Sequence, residues 1–132
     1  MILLDTHAAI WFAMDSGLGR RSQGIADEAL ADDRLAISAV SFWEISMLTA
    51  KGRLRSIDSA AKMRKQILDG GVLEMPLTGD IAIVAGSLEG LHGDPADRFI
   101  VATAIAFDAT LVTADTRVLD WPGPLQRHDA EK

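Results

Sequence analysis

The stretch Met1-Ile2-Leu3-Leu4-Asp5-Thr6-His7 decides the fold. A short apolar run that ends in an acid reads as a buried strand whose carboxyl end presents Asp5. Thr6 to Met14 then reads as a helix, with Thr6 as its cap. Working outward, the same alternation continues. Asp15 to Gly19 is a turn, and from Arg20 to Asp32 the residues Ile25, Ala26, Ala29 and Leu30 fall at helical spacing. Arg34 to Ser38 is a second short strand. Ser41 to Lys51 is a helix with Phe42, Ile45 and Leu48 or Thr49 on one face, ended by Gly52. Ile57 to Leu68 is an amphipathic helix closed by Gly70 and Gly71. Val72 to Met75 is a third strand, stopped by Pro76. Gly79 to Leu88 is a helix, followed by a loop from Gly90 to Gly93. Pro95 to Phe107 is a helix so rich in Ala, Val and Ile that it must be largely buried. Thr110 to Thr113 and Leu125 to His128 supply a fourth and a fifth strand. Strands alternating with helices predict an α/β domain with a mostly parallel sheet. With no linker, repeat or low-complexity stretch, residues 1–132 are expected to form one domain.

Composition narrows the function. Apolar residues make up 48 % of the 132 residues, enough for a real core. Cysteine is absent, which removes disulfides, zinc–thiolate sites and thiol nucleophiles and fits a reducing cytoplasm. The run Ile2 to Leu4 is far too short for a signal peptide. The longest apolar run, Phe99 to Phe107, is bounded by Asp97-Arg98 and Asp108 and cannot span a bilayer. A soluble, cytoplasmic protein without membrane association is therefore expected. The net charge of −6, from 13 basic and 19 acidic residues, argues against tight, non-specific coating of nucleic acid. It leaves a nuclease open, because a metal site collects carboxylates and bound cations reverse the local field.

The placement of the acids is more telling than their number. Function in open α/β sheets collects at the carboxyl ends of the strands. Asp5 ends the first strand and Asp115 follows the fourth. Glu44 lies in the helix after the second strand, and Asp97 sits in the first turn of the buried helix. A parallel sheet would gather all four near one edge. Three or four hard oxygen ligands without cysteine or a clear histidine pair suit magnesium or manganese and not zinc. Such an ion activates a water and stabilises charge on a phosphate; two of them roughly 3.5–4 Å apart clamp both attacking and leaving oxygens. Most of these acids also have a purely structural reading. Ser41-x-x-Glu44 matches a capping box. Asp94-Pro95-x-Asp97 is the grammar of a helix start, with Asp94 as cap. Asp115 can be a turn-forming residue. Asp5 is harder to explain this way, since an acid at the end of a buried strand is costly without a partner or ion.

Other side chains are weaker candidates. His7 and His92 can hydrogen-bond near the site, although a lone histidine is more often a packing or surface residue; His128 lies near the tail. Thr6, Ser41 and Thr113 can hold a water, a carboxylate or a phosphate, Thr113 best because it shares a strand end with Asp115. Arg98 can meet a carboxylate or a phosphate, or form an ordinary surface pair. Lys51, Arg53 and Arg55 with Lys62, Arg64 and Lys65 form the locally basic stretch, either a solvated face or an RNA-backbone contact. Trp11, Phe12, Trp43 and Met47 are many large side chains for short helices; core packing takes most of them, and a minority can line a partner groove.

Taken together, Ile2-Leu3-Leu4-Asp5-Thr6-His7, Ser41-Phe42-Trp43-Glu44-Ile45, the run Asp94-Pro95-Ala96-Asp97-Arg98 with its continuation to Ala104, and Leu111-Val112-Thr113-Ala114-Asp115 resemble the PIN-domain family. Within that family they are most similar to the VapC-like toxins of bacterial toxin–antitoxin pairs. Each motif is short, but the ordered set from Met1 to about Trp121 is specific. The resemblance implies an α/β/α sandwich with a five-stranded, mostly parallel sheet, and an endoribonuclease dependent on Mg2+ or Mn2+. It puts Asp5, Glu44, Asp97 and Asp115 on the family's acidic quartet, as metal-binding and catalytic residues, with Asp94 as an extra acid supporting them. It also implies a cognate antitoxin, RNA as substrate and a homodimer. Ala96 departs from the pattern, standing where a bulky aromatic residue often sits. Two other readings compete: a binding module that keeps the fold without the chemistry, and a phosphatase working through an aspartyl phosphate. The second requires another acid two residues after Asp5, where this chain has His7.

Overall fold

The computed structural model describes residues 1–54 and 57–132. Five strands form one sheet: β1 (Ile2–Leu4), β2 (Leu35–Ser38), β3 (Leu73–Met75), β4 (Thr110–Thr113) and β5 (Gln126–Asp129). Their spatial order is β3-β2-β1-β4-β5, and every pairing is parallel. The mostly parallel sheet expected from the sequence is thus wholly parallel. Between the strands run α1 (Thr6–Ala13), α2 (Arg20–Ala31), α3 (Ala39–Ala50), α4 (Ala60–Asp69), α5 (Gly79–Gly86), α6 (Pro95–Ala106) and the single turn α7 (Thr116–Leu119).

The central strands are buried on both faces, which explains their unbroken apolar runs. Leu3, Ala36 and Leu111 share a row of the register and belong to the core formed with α5 and α6, around Ile81, Ile100 and Val101. Their neighbours Leu4, Ile37 and Val112 turn the other way, into a second core with Ala8, Ile45 and Ile67. The result is helices on both sides of the sheet. α6 is the buried helix anticipated from its composition: Ile100, Val101, Ala102 and Ala104 are all at most 1 % exposed.

Several helix starts differ from the sequence reading. α1 is capped by Asp5, not Thr6. α3 begins at Ala39, two residues before Ser41, because the Ser38 hydroxyl accepts from the Val40 N–H (3.2 Å) and caps it there. The capping box is therefore unused, and Glu44 falls in the second turn. α4 starts at Ala60 with the Ser59 hydroxyl as cap, and β5 begins one residue late. α7 was not anticipated. Gly52, at φ +70°, does end α3 as expected. Arg55 of the basic stretch lies outside the described residues.

The order of strands reverses direction on either side of β1: the chain moves from β1 out to β2 and β3, then returns to β4 and β5. The carboxyl ends of β1 and β4 flank this switch point, where an open α/β sheet leaves a crevice.

Candidate active site

The crevice is a cavity of about 350 Å³ lined by Asp5, Thr6, His7, Trp11, Glu44, Asp94, Asp97, Ala114, Asp115 and Arg117. The sheet supplies its floor. The Asp5 N–H still donates to the Val112 carbonyl (3.1 Å), so the strand pairing runs up to the acid itself. One oxygen of Asp5 accepts from the Ala8 N–H at 2.9 Å and caps α1. Its neighbour in the sheet, Thr113, is 1 % exposed and joins two acids: its hydroxyl hydrogen-bonds the Asp5 carboxyl and accepts from the Asp115 N–H at 3.1 Å. Asp115 caps α7 by accepting from the Arg117 N–H at 2.9 Å, and Asp94 caps α6 by accepting from the Asp97 N–H at 3.1 Å. The capping reading of Asp94 is thus correct, and Asp115, read as a turn-forming residue, caps a short helix; neither role removes these acids from the cavity. A carboxylate has four lone-pair sites, and a cap uses one.

Charge is crowded here. Asp5 opens onto the cavity yet is wrapped by protein on its other sides. Poor hydration raises its pKa above the usual carboxylate value, with the charge of Glu44 adding to the rise; the bonds from Thr113 and Ala8 and the nearby His7 pull the other way. Asp97 is pushed up to about 6, first by burial and then by Asp94, Asp115 and Glu44, against a hydrogen bond with His92. Asp115 is also penalised by burial, but the guanidinium and backbone N–H of Arg117 outweigh this and hold its pKa low. His92 Nε2 lies 2.7 Å from Asp97 Oδ2 and 3.8 Å from Asp115 Oδ2. These three ligand atoms all lie within 4.8 Å of one another, a spacing one ion can bridge.

Asp5, Glu44, Asp97 and Asp115, drawn from four separate segments, therefore meet in one cavity, with Asp94 and Thr6 on its wall. Thr6 is buried and donates to the Ser41 hydroxyl at 3.0 Å, so it braces α1 against α3. His92 makes the contact with Asp97, whereas His128 sits on β5 away from the acids. Trp11 lines the cavity, Phe12 and Met47 are half-buried, and Trp43 is exposed.

Arg98 is a correction. Its guanidinium donates to the carbonyls of Ala85 (2.9 Å), Leu88 (3.0 Å), Leu91 (2.9 Å) and His92 (3.3 Å). It straps the loop that carries His92 and meets neither a carboxylate nor the cavity. Adjacent helical residues point about 100° apart, and here Asp97 faces the cavity while Arg98 turns to the carbonyls at and after the end of α5. The arginine in the site is Arg117, which the sequence reading passed over. Its Nη2 lies 3.1 Å from Asp115 Oδ2 and 3.8 Å from Asp97 Oδ2. The signal was present in its position two residues after a strand-end acid.

The donor set fits a hard divalent cation. Several carboxylates converge, and the poor hydration of Asp5 and Asp97 is what a cation would relieve. These acids sit at the switch point of an all-parallel α/β sandwich, where such folds place their ligands. The chain belongs to the PIN domain family, whose model matches residues 2–122. More particularly, it is 33 % identical over 119 residues to Ribonuclease VapC22 of Mycobacterium tuberculosis, covering 89 % of this chain and 88 % of that protein. VapC nucleases with this domain depend on divalent metal. The fold also matches VapBC from Salmonella typhimurium, solved with DNA, at TM-score 0.69 and 15 % identity, covering 97 % of this chain and 96 % of the other. VapBC2 of Rickettsia felis, solved with a promoter DNA fragment, matches at TM-score 0.66 and 20 % identity, covering 97 % and 98 %.

Proposed function

We propose that this chain is an endoribonuclease that hydrolyses RNA phosphodiester bonds with Mg2+ or Mn2+ held by Asp5, Glu44, Asp97 and Asp115. The observation that carries the reading is the convergence of these acids, from four segments, in one cavity. Kinship with a protein named a ribonuclease supports RNA as the substrate. When bound, a divalent cation lowers the pKa of a water and offsets the charge that builds on the phosphate.

The chain's own residues do the positioning. Thr113 holds Asp5 and the Asp115 backbone in fixed relation, so two acids from neighbouring strands keep their separation. His92 fixes the orientation of Asp97, and Arg98 fixes the loop behind His92. The helix caps at Asp5 and Asp115 each leave one carboxylate oxygen free of backbone bonds and able to face a cation. Glu44 reaches the cavity from the second turn of α3, which starts at Ala39 behind its Ser38 cap.

The same kinship supports the role of a toxin held by a cognate antitoxin, in a cytoplasmic pair. The matched structures were solved as toxin–antitoxin complexes, and the acidic cavity suits a partner's Arg or Lys. A homodimer is part of this reading, with residues 1–132 as one PIN domain. Exposed Trp43 and Ile83 supply apolar surface for assembly. Purified chain free of any partner should cut single-stranded RNA in Mg2+ or Mn2+, stop with chelator and resume when the ion is returned. RNA left intact by a chain that binds neither ion would remove the enzyme and leave a binding module. Purification from its own host should bring a small companion protein with it.

A further inference from the structure

Two arginines, Arg98 and Arg127, are tied to backbone carbonyls. Arg98 is held by four carbonyls, and Arg127 donates to the carbonyls of Val118 (2.8 Å) and Gly123 (3.0 Å) among others. Arg117 differs from both. Its guanidinium meets only acids: Nε lies 3.2 Å from Asp115 Oδ1, and Nη2 reaches Asp115 and Asp97. Its side chain is 61 % exposed, while those of Asp97 and Asp115 are 20 % and 21 % exposed. An exposed cation thus covers two half-buried anions at the mouth of the cavity.

We propose that Arg117 is an exchangeable counter-ion: it neutralises Asp97 and Asp115 while no metal is bound, yields them to the divalent cation, and then holds a phosphate oxygen of the RNA. This rests on the metal-dependent ribonuclease reading above and adds a residue to it. The carboxylate oxygens that Arg117 contacts belong to the group whose ligand atoms lie within 4.8 Å of one another. A guanidinium and a divalent ion on the same oxygens repel, and the exposed side chain is the one that can leave. The backbone need not move, because the Arg117 N–H keeps its own bond to Asp115 Oδ1, at 2.9 Å, when the guanidinium leaves. Once displaced, the guanidinium stands at the rim of a cavity that admits a phosphate. Its planar fork matches the oxygens of that group.

The consequence is a pair of effects with opposite signs. Arg117→Gln removes the competitor, so Mn2+ should bind about two- to fivefold tighter by calorimetric titration, the scale of an exposed ion pair. The same variant, saturated with Mn2+, should cut an RNA oligonucleotide with kcat/KM lowered about tenfold or more, the scale of a lost charged hydrogen bond. Arg117→Lys keeps the charge and should bind Mn2+ as the unaltered chain does, while recovering part of the cleavage. Circular dichroism melts of both variants establish that they are folded. Weaker or unchanged Mn2+ binding by Arg117→Gln, or undiminished cleavage, overturns the proposal. An unaltered chain that neither binds Mn2+ nor cuts RNA removes the ribonuclease reading and this proposal with it. An unaltered chain that does both, beside a variant without the split, removes the role of Arg117 alone.

Discussion

Along α4 and β3, charge meets charge. Arg64 lies 2.8 Å from Glu74 and stacks on the Phe42 ring, Lys65 pairs with Asp69, and Lys62 stands 4.0 Å from Asp58. At the carboxyl ends of β1 and β4 the pattern is reversed. Asp5, Glu44, Asp94, Asp97 and Asp115 line one cavity, and Arg117 is the one permanent cation paired with them among the described residues. Exposed, matched pairs contribute little to stability and are easily replaced. Half-buried, unmatched acids lower stability, and a fold retains them where function requires it. The flank shows how this chain disposes of charge that has only a structural role; the strand ends depart from that habit.

The largest expected effect comes from breaking the strand-end region at its centre. Asp5→Asn keeps an oxygen to accept from the Ala8 N–H, so the cap of α1 survives. It removes a poorly hydrated charge. Cleavage should fall roughly a thousandfold, on the scale of losing an electrostatic element of a transition-state site. The metal-free chain should become more stable by about 1 kcal/mol, the usual trade between a site and its fold. Activity assays and chemical denaturation measure the two. A variant that is inactive because it is less stable would mean that Asp5 is a structural cap and not a ligand.

The contrast between the two regions was only partly visible in the sequence. β1, β2 and β4 were legible because buried parallel strands leave short apolar runs bounded by turns. β5 left no such run, since Gln126–Asp129 is polar throughout. Asp5 and Asp115 stood out at strand ends. Helix starts were less legible. Ser38 and Ser41 are equally good caps on paper, and only the end of β2 decides between them. Glu44 lines the cavity, and its competing reading as part of a capping box failed because Ser38 caps the helix. The roles of the arginines were the least legible. Arg98 and Arg117 each follow an acid closely, but one lies inside a helix, where adjacent side chains diverge, and the other starts a single turn that folds its guanidinium back on the cap. A helix of four residues has too little periodicity to announce itself.

A change of pH sharpens the comparison because the two regions titrate with opposite signs. Asp97 is pushed up to about 6 in the folded chain, above its unfolded value. The folded state therefore binds this proton more readily than the unfolded state. In chelator, stability should increase as pH falls from about 7 toward 5, by about 1–2 kcal/mol. Asp115 does not cancel this, since its pKa is lowered and its effect lies below that window. With saturating Mn2+ the trend should reverse, because protons compete with the ion for Asp97. Thermal melts at several pH values, with and without metal, check both. A flat profile in chelator would mean that Asp97 is hydrated well enough to need no partner.

The smallest effect belongs to the flank. The hydrogen bonds and charge of Arg64 hold the Glu74 carboxyl below its usual pKa, against some burial. Its contribution is present above the unfolded value and is lost as pH falls through the lower folded one, opposite to Asp97. Glu74→Gln removes the charge and leaves Arg64 stacked on Phe42. At neutral pH it should shift Tm by no more than about 2 °C, and added salt should erase most of the difference. RNA cleavage should stay unchanged. Cleavage that rises instead would change the account of this region: Arg64, released from its partner among exposed Lys62 and Lys65, would then be contacting the RNA backbone, and the flank would belong to the substrate path.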